Sequence, residues 1–163
     1  MAQSRTGKEI TKFRKVVFIC MDNTCCSIMA EAIMRGLLTG KEETASFVVA
    51  SRGLVVLFPE PLNPKVLEVL HENQLYASKR ATQELSLGDI GGDTLLLTMT
   101  DQEKRMAQER FPTALNLYTL REFVGETGDI REPYGGSIQE YASMYEHLDL
   151  MVKMAAQRMR SQT

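Results

Sequence analysis

Four short apolar runs, VVFIC (16–20), FVVAS (47–51), DTLLLTM (93–99) and LNLYTL (115–120), alternate along the chain with stretches whose apolar residues recur at helical spacing. The runs are partly β-branched, and polar or turn residues bound most of them, so they read as buried strands. Strands that alternate with helices imply a parallel sheet covered on both faces. The expected fold is therefore α/β: a single-domain three-layer sandwich with a four-stranded parallel sheet and helices on both faces. With 163 residues the chain has the length of one domain and can bury about two thirds of its unfolded surface.

The helical stretches carry their own start signals. Residues 27–39 place Ile28, Met29, Ala32, Ile33 and Leu37 three and four apart, with Ser27 as the expected N-cap. Residues 63–73 open with Asn63 as cap and Pro64 at the first position, and are expected to bury Val66, Leu67 and Leu70. Thr100 and Glu103 form one capping-box pattern, and Ser137 and Glu140 another, ahead of a long stripe of Tyr141, Met144, Leu148, Met151 and Met154. Residues 1–13 are expected to be a loosely held arm, and 14–163 the folded domain.

Nineteen basic residues nearly cancel 21 acidic ones, so no nucleic acid or anionic membrane is expected as partner. The first residues, MAQSRTGKEITKFRK, are polar and basic without an apolar core, and no stretch approaches 18 uninterrupted apolar residues. The expected location is the cytoplasm. All three cysteines fall within seven residues, an arrangement that cannot staple a fold. The C-x4-CC spacing also lacks the histidines and the second cysteine pair of a zinc site, so neither a metal nor a cofactor is expected. Catalysis, redox chemistry and plain burial remain for these thiols. His71 and His147 read as surface residues without catalytic duties.

The cysteines lie in VFICMDNTCCSIMAE (17–31), which runs from the first strand through a polar turn into the first helix. In a parallel α/β sheet, ligands bind beyond the carboxyl ends of the strands, where the strand order reverses. Cys20 stands at such an end. A strand that ends in cysteine and passes through a short loop into a helix can aim backbone N–H groups at an anion, with a thiolate beneath it.

This loop resembles the phosphate loop of the low-molecular-weight protein tyrosine phosphatases, whose pattern after the first strand is C-x5-R-S. The resemblance continues through SRG (51–53), LLLTMTDQEKRMAQERFP (95–112) and GDIREPYGGSIQEY (128–141), and so covers nearly the whole chain from Lys15 onward. It implies a two-step phosphoryl transfer with Cys20 as nucleophile, its pKa lowered by the helix terminus and loop amides. By the same resemblance Met21, Asp22, Asn23, Thr24, Cys25 and Cys26 supply those amides. Asn23 braces the loop, and Ser27 hydrogen-bonds the thiolate. Cys25 falls on a second cysteine that traps the nucleophile as a reversible disulfide. Glu132, before Pro133, stands at the general acid's place, and Tyr134 forms a wall of the site or caps the core.

Three departures from the family pattern stand out. Cys26 occupies the position of the phosphate-gripping arginine, Ile28 that of a proline, and Glu132 that of an aspartate. Exchanging a planar, permanently charged, bidentate donor for a thiol removes a contribution worth about 10³ to 10⁵ in rate in other phosphoryl-transfer enzymes. Arg52, where the family usually has a small residue, is either a replacement cation or a surface charge. Thr24 and the run TLREFV…GDIREPYGGS resemble most closely the bacterial branch that includes protein arginine phosphatases. Arsenate reductases share the loop, but their relay needs further cysteines downstream, and none follows Cys26.

The reading is thus a phosphatase homologue with severely weakened or lost activity, binding a small anion such as phosphate or sulfate, or a phosphorylated protein. Two alternatives stand beside it: an active phosphatase on phosphotyrosine or phosphoarginine, and a thiol redox protein using Cys20, Cys25 and Cys26.

Overall fold

A computed structural model describes residues 12–41 and 46–161. Strand β1, Lys15–Cys20, lies at the centre of the sheet, and the period of two in its side chains builds two cores at once. Val16, Phe18 and Cys20 face one core, while Val17 and Ile19 face the other. β2 (Val48–Gly53) and β3 (Thr94–Thr98) pair with β1 on either side, and β4 (Leu117–Thr119) pairs with β3. All pairings are parallel, and the order is β2-β1-β3-β4.

Helices α1 (Cys26–Leu38), α2 (Pro64–Glu72) and α5 (Ile138–Ser161) close the first core, joined by the one-turn α4 (Leu120–Phe123). Helix α3 (Asp101–Arg110) covers the second core through Ala107, beside Phe111. The four-stranded parallel sandwich expected from the alternating pattern is therefore present. β1 feeds α1 on one face and β3 feeds α3 on the other, so the loop after β1 opens where the strand order reverses.

The expected caps form at three helices. Asn63 Oδ1 accepts from the Lys65 N–H at 2.9 Å. The Thr100–Glu103 and Ser137–Glu140 pairs both close their boxes. Two local expectations need correction. Leu67 is 40% exposed and Val69 is buried instead, because the stripe that faces the core runs through Val66, Val69 and Leu70, three and four residues apart, and Leu67 lies to one side of it. Ser27 does not cap α1, which begins one residue earlier and has no side-chain cap from the residue before it.

Residues 1–11 of the expected arm lie outside the described residues. Phe13, at its end, is 3% exposed and belongs to the first core. Among the described residues no helix is long and apolar enough to cross a membrane.

Candidate functional site

The loop after β1 is laced to the chain that leaves β2. The Leu54 N–H donates to the Cys20 carbonyl at 3.1 Å, and the Val55 N–H donates to the Met21 carbonyl at 2.9 Å. Gly53 is paired with Cys20 across the sheet. A Cβ at residue 53 would lie 2.9 Å from the backbone carbon of Asp22 and 3.0 Å from the Asn23 nitrogen, so only glycine allows this approach. The two strand ends thus hold the loop's first half in place.

Asn23 then turns the chain with φ of 63°, a left-handed conformation that asparagine tolerates better than most residues. Its side chain, fully buried, spends every polar atom. Nδ2 donates to Ser27 Oγ at 2.9 Å, while Oδ1 accepts from Lys79 Nζ at 2.5 Å and from the Gln83 N–H at 3.0 Å. Ser27 Oγ in turn lies 2.9 Å from Cys20 Sγ. The brace and the thiol partner implied by the resemblance are thus adjacent links of one chain, Lys79–Asn23–Ser27–Cys20.

Lys79 was not singled out from the sequence. It lies in ASKRAT, a stretch without periodicity, and nothing there separates it from its neighbour Arg80. Its ammonium also donates to the Ser51 carbonyl at 2.7 Å. Burial pulls its pKa down to about 8, against the opposing influence of Glu31.

Glu132 comes to the loop from the segment between α4 and α5. Its Oε1 accepts the Cys26 N–H at 3.2 Å, and so a carboxylate from far along the chain occupies the first amide of α1. A second loop amide is also taken: Asp22 Oδ1 accepts from the Thr24 N–H at 3.1 Å and from the Thr24 hydroxyl at 2.8 Å. Two of the donors expected to face an anion therefore face carboxylates of the chain itself. The Tyr134 hydroxyl and the Cys20 thiol are polar neighbours of the Glu132 carboxyl, while its buried Oε2 has no partner at hydrogen-bond geometry.

The electrostatics follow from this crowding. Burial raises the Cys20 thiol well above its ordinary range, and Glu132 raises it further, outweighing the hydrogen bonds from Ser27. The direction of this shift is opposite to the lowered pKa that the resemblance implies. The Cys26 thiol is pushed up by its hydrogen bond with Cys25 and by burial. The Glu132 carboxyl is raised, chiefly by burial and then by Asp22. All three cysteines are free and buried.

Arg52 is not brought to the loop. Its Nε donates to Asp89 at 3.1 Å and its Nη1 to the Ser51 carbonyl at 2.8 Å. Tyr134 is 69% exposed on the segment that carries Glu132, and so lies at the surface rather than over the core. His71 is exposed, whereas His147 is half-buried with a ring nitrogen 2.6 Å from Arg121.

Residues 15–163 match the family model of the low molecular weight phosphotyrosine protein phosphatases. The low molecular weight protein-tyrosine-phosphatase PtpB of Staphylococcus haemolyticus is 36% identical over 134 residues, spanning 82% of this chain and 91% of that protein. PtpB of Staphylococcus epidermidis is 34% identical over 141 residues, spanning 86% and 96%. Among solved structures, the YwlE arginine phosphatase from Geobacillus stearothermophilus superposes with a TM-score of 0.79 at 30% identity, covering 91% of this chain and 94% of that one. A low molecular weight protein tyrosine phosphatase from T. tengcongensis gives 0.78 at 29% identity, covering 88% and 97%.

Proposed function

The chain belongs to the low molecular weight phosphotyrosine protein phosphatase family, and from that premise we propose that it is a member whose cysteine-dependent phosphatase activity is severely weakened. The observation that carries this reading is the Glu132 carboxylate on the Cys26 amide. An incoming phosphate dianion meets Glu132 and Asp22 where the family pattern supplies a guanidinium, and like charges in a buried site repel strongly. Arg52 does not compensate, since it is held by Asp89 and Ser51. Burial and the nearby Glu132 disfavour the Cys20 thiolate that in-line attack requires.

In this reading the loop takes a phosphate or sulfate, or the phosphate of a modified protein, only after the Glu132 side chain withdraws. Localisation in the cytoplasm belongs to the same proposal.

The active alternative draws on one observation, the intact Asn23–Ser27–Cys20 chain. It would use a phosphocysteine on Cys20, with Glu132 protonating the leaving oxygen. Its phosphoarginine form would need the Thr24 hydroxyl, which instead donates to Asp22. The redox alternative rests on the three adjacent free thiols.

Hydrolysis of p-nitrophenyl phosphate by the unaltered chain, measured beside Cys20→Ser, decides between the first two. The proposal expects the unaltered chain to exceed the variant by no more than about tenfold. A rate hundreds of times above that of Cys20→Ser overturns it.

A further inference from the structure

From the sequence alone, the three cysteines lacked the further ligands of a metal site. The fold supplies them. Among the described residues, Cys25 Sγ, Cys26 Sγ and a Glu132 carboxylate oxygen all lie within 4.8 Å of one another. Cys20 Sγ, an Asp22 oxygen and a Glu132 oxygen form a second such group that shares Glu132. We propose that this cluster is a binding site for a thiophilic divalent cation of the zinc type, with Cys25, Cys26 and Glu132 as its protein ligands.

Four observations support the site. A tetrahedral zinc centre with Zn–S near 2.3 Å spaces its sulfurs about 3.8 Å apart, so ligand atoms already within 4.8 Å need to close by about 1 Å at most. Cys25 is the residue ahead of α1 and Cys26 its first residue, so both thiols leave consecutive positions at the start of the helix. Glu132 Oε1 is oriented by the Cys26 N–H, the kind of secondary contact that holds a ligating carboxylate. Its other oxygen, Oε2, is buried without a hydrogen bond, a state that costs free energy and that a cation would relieve.

The charge balance also favours a cation over the anion that such loops ordinarily take. Two thiolates, one carboxylate and a divalent ion sum to −1. Each thiol releases its proton to solvent as its sulfur–metal bond forms, so binding liberates two protons from the cysteines. The fourth position is left to water. Hard cations such as magnesium prefer oxygen sets and should not bind here. The inference concerns the same loop as the proposed function but does not depend on it, because metal binding is read without any phosphate ester.

Cobalt(II) titration of the reduced, metal-free protein provides the test. We expect one ion per chain, a sulfur-to-cobalt charge-transfer band in the near ultraviolet, tetrahedral d–d bands in the visible, and displacement by zinc. Cys25→Ser and Cys26→Ser should each remove one sulfur contribution from the band. Glu132→Gln should keep the sulfur count and weaken affinity at least about tenfold. If the serine variants fail to fold, zinc protection of the unaltered chain's thiols against a disulfide reagent under mild denaturation replaces them, with Cys25 and Cys26 expected to be protected at one equivalent. No band and no protection, or a band of full strength in Cys26→Ser, overturns the proposal.

Discussion

Glu132 and Cys26 are 106 residues apart in the chain, yet the carboxylate of one accepts the backbone N–H of the other at 3.2 Å. The first amide of α1 is therefore satisfied by a side chain from the segment ahead of α5, and the loop is closed by the protein's own carboxyl group. Glu132→Ala should reopen it. The variant is expected to bind inorganic phosphate at least about tenfold more tightly, equivalent to about 1.4 kcal/mol. The Cys26 amide resonance should move on titration with phosphate in the variant and remain still in the unaltered chain. Equal phosphate affinities would show that the carboxylate is not what excludes anions.

Cys26→Arg asks whether one missing cation silences the chemistry. The new guanidinium would supply a bidentate phosphate clamp and favour the Cys20 thiolate. We expect kcat/KM for an aryl phosphate to rise at least about 100-fold, below the roughly 10³ to 10⁵ contributed by such cations elsewhere, because Asp22 and Glu132 will compete for the same charge. The gain should disappear in Cys26→Arg combined with Cys20→Ser, and shrink with Glu132→Gln. A folded arginine variant with no gain would rule out the substitution as the cause.

Asn23→Ala removes three hydrogen bonds and leaves an L-residue with a β-carbon at φ of 63°. A loss of about 3 kcal/mol is expected from denaturant unfolding, combining the strain with the lost bonds to Ser27, Lys79 and the Gln83 N–H. Asn23→Gly, which relieves the backbone strain but not the lost bonds, should lose about 1 kcal/mol less. If the two variants are equally stable, the left-handed turn is not a source of strain.

Glu103 makes a pH prediction with a definite sign. Burial lifts its carboxyl from the ordinary 4.5 to about 7, against the Met99 and Thr100 N–H donors that favour the charged form, while Glu132 pushes it higher. Between those two values the unfolded chain has released the proton and the folded chain still holds it. Stability should therefore fall on this account as pH rises from 4.5 to 7, and level off above. Glu103→Gln keeps an oxygen for both amides and cannot ionise. It should be more stable than the unaltered chain at pH 8 by up to about 3 kcal/mol and equal to it at pH 4, as read by thermal melting.

The strands were legible because their apolar runs are short and interrupted by helical spacing, and three of the caps because a cap is a local pattern. Ser27 misled for a physical reason. A serine before an apolar stripe signals a cap, but here its hydroxyl is taken by Asn23 and Cys20. Leu67 misled because the stripe's phase is ambiguous between residues 67 and 69, and only packing against α5 resolves it. At the site, the resemblance supplied the position of Glu132. It did not supply the contact with Cys26, since no local rule links residues so far apart. Lys79 left no trace in the sequence for the same reason.

The loop's shape and its reactivity have separate supports. Lys79, Asn23 and Ser27 hold the turn from beneath, while Cys26 and Glu132 determine from above what the turn can do. The scaffold can therefore be inherited apart from the reaction. Exchanging Cys26 or Glu132 should therefore change what the loop binds while Lys79, Asn23 and Ser27 keep its turn in place.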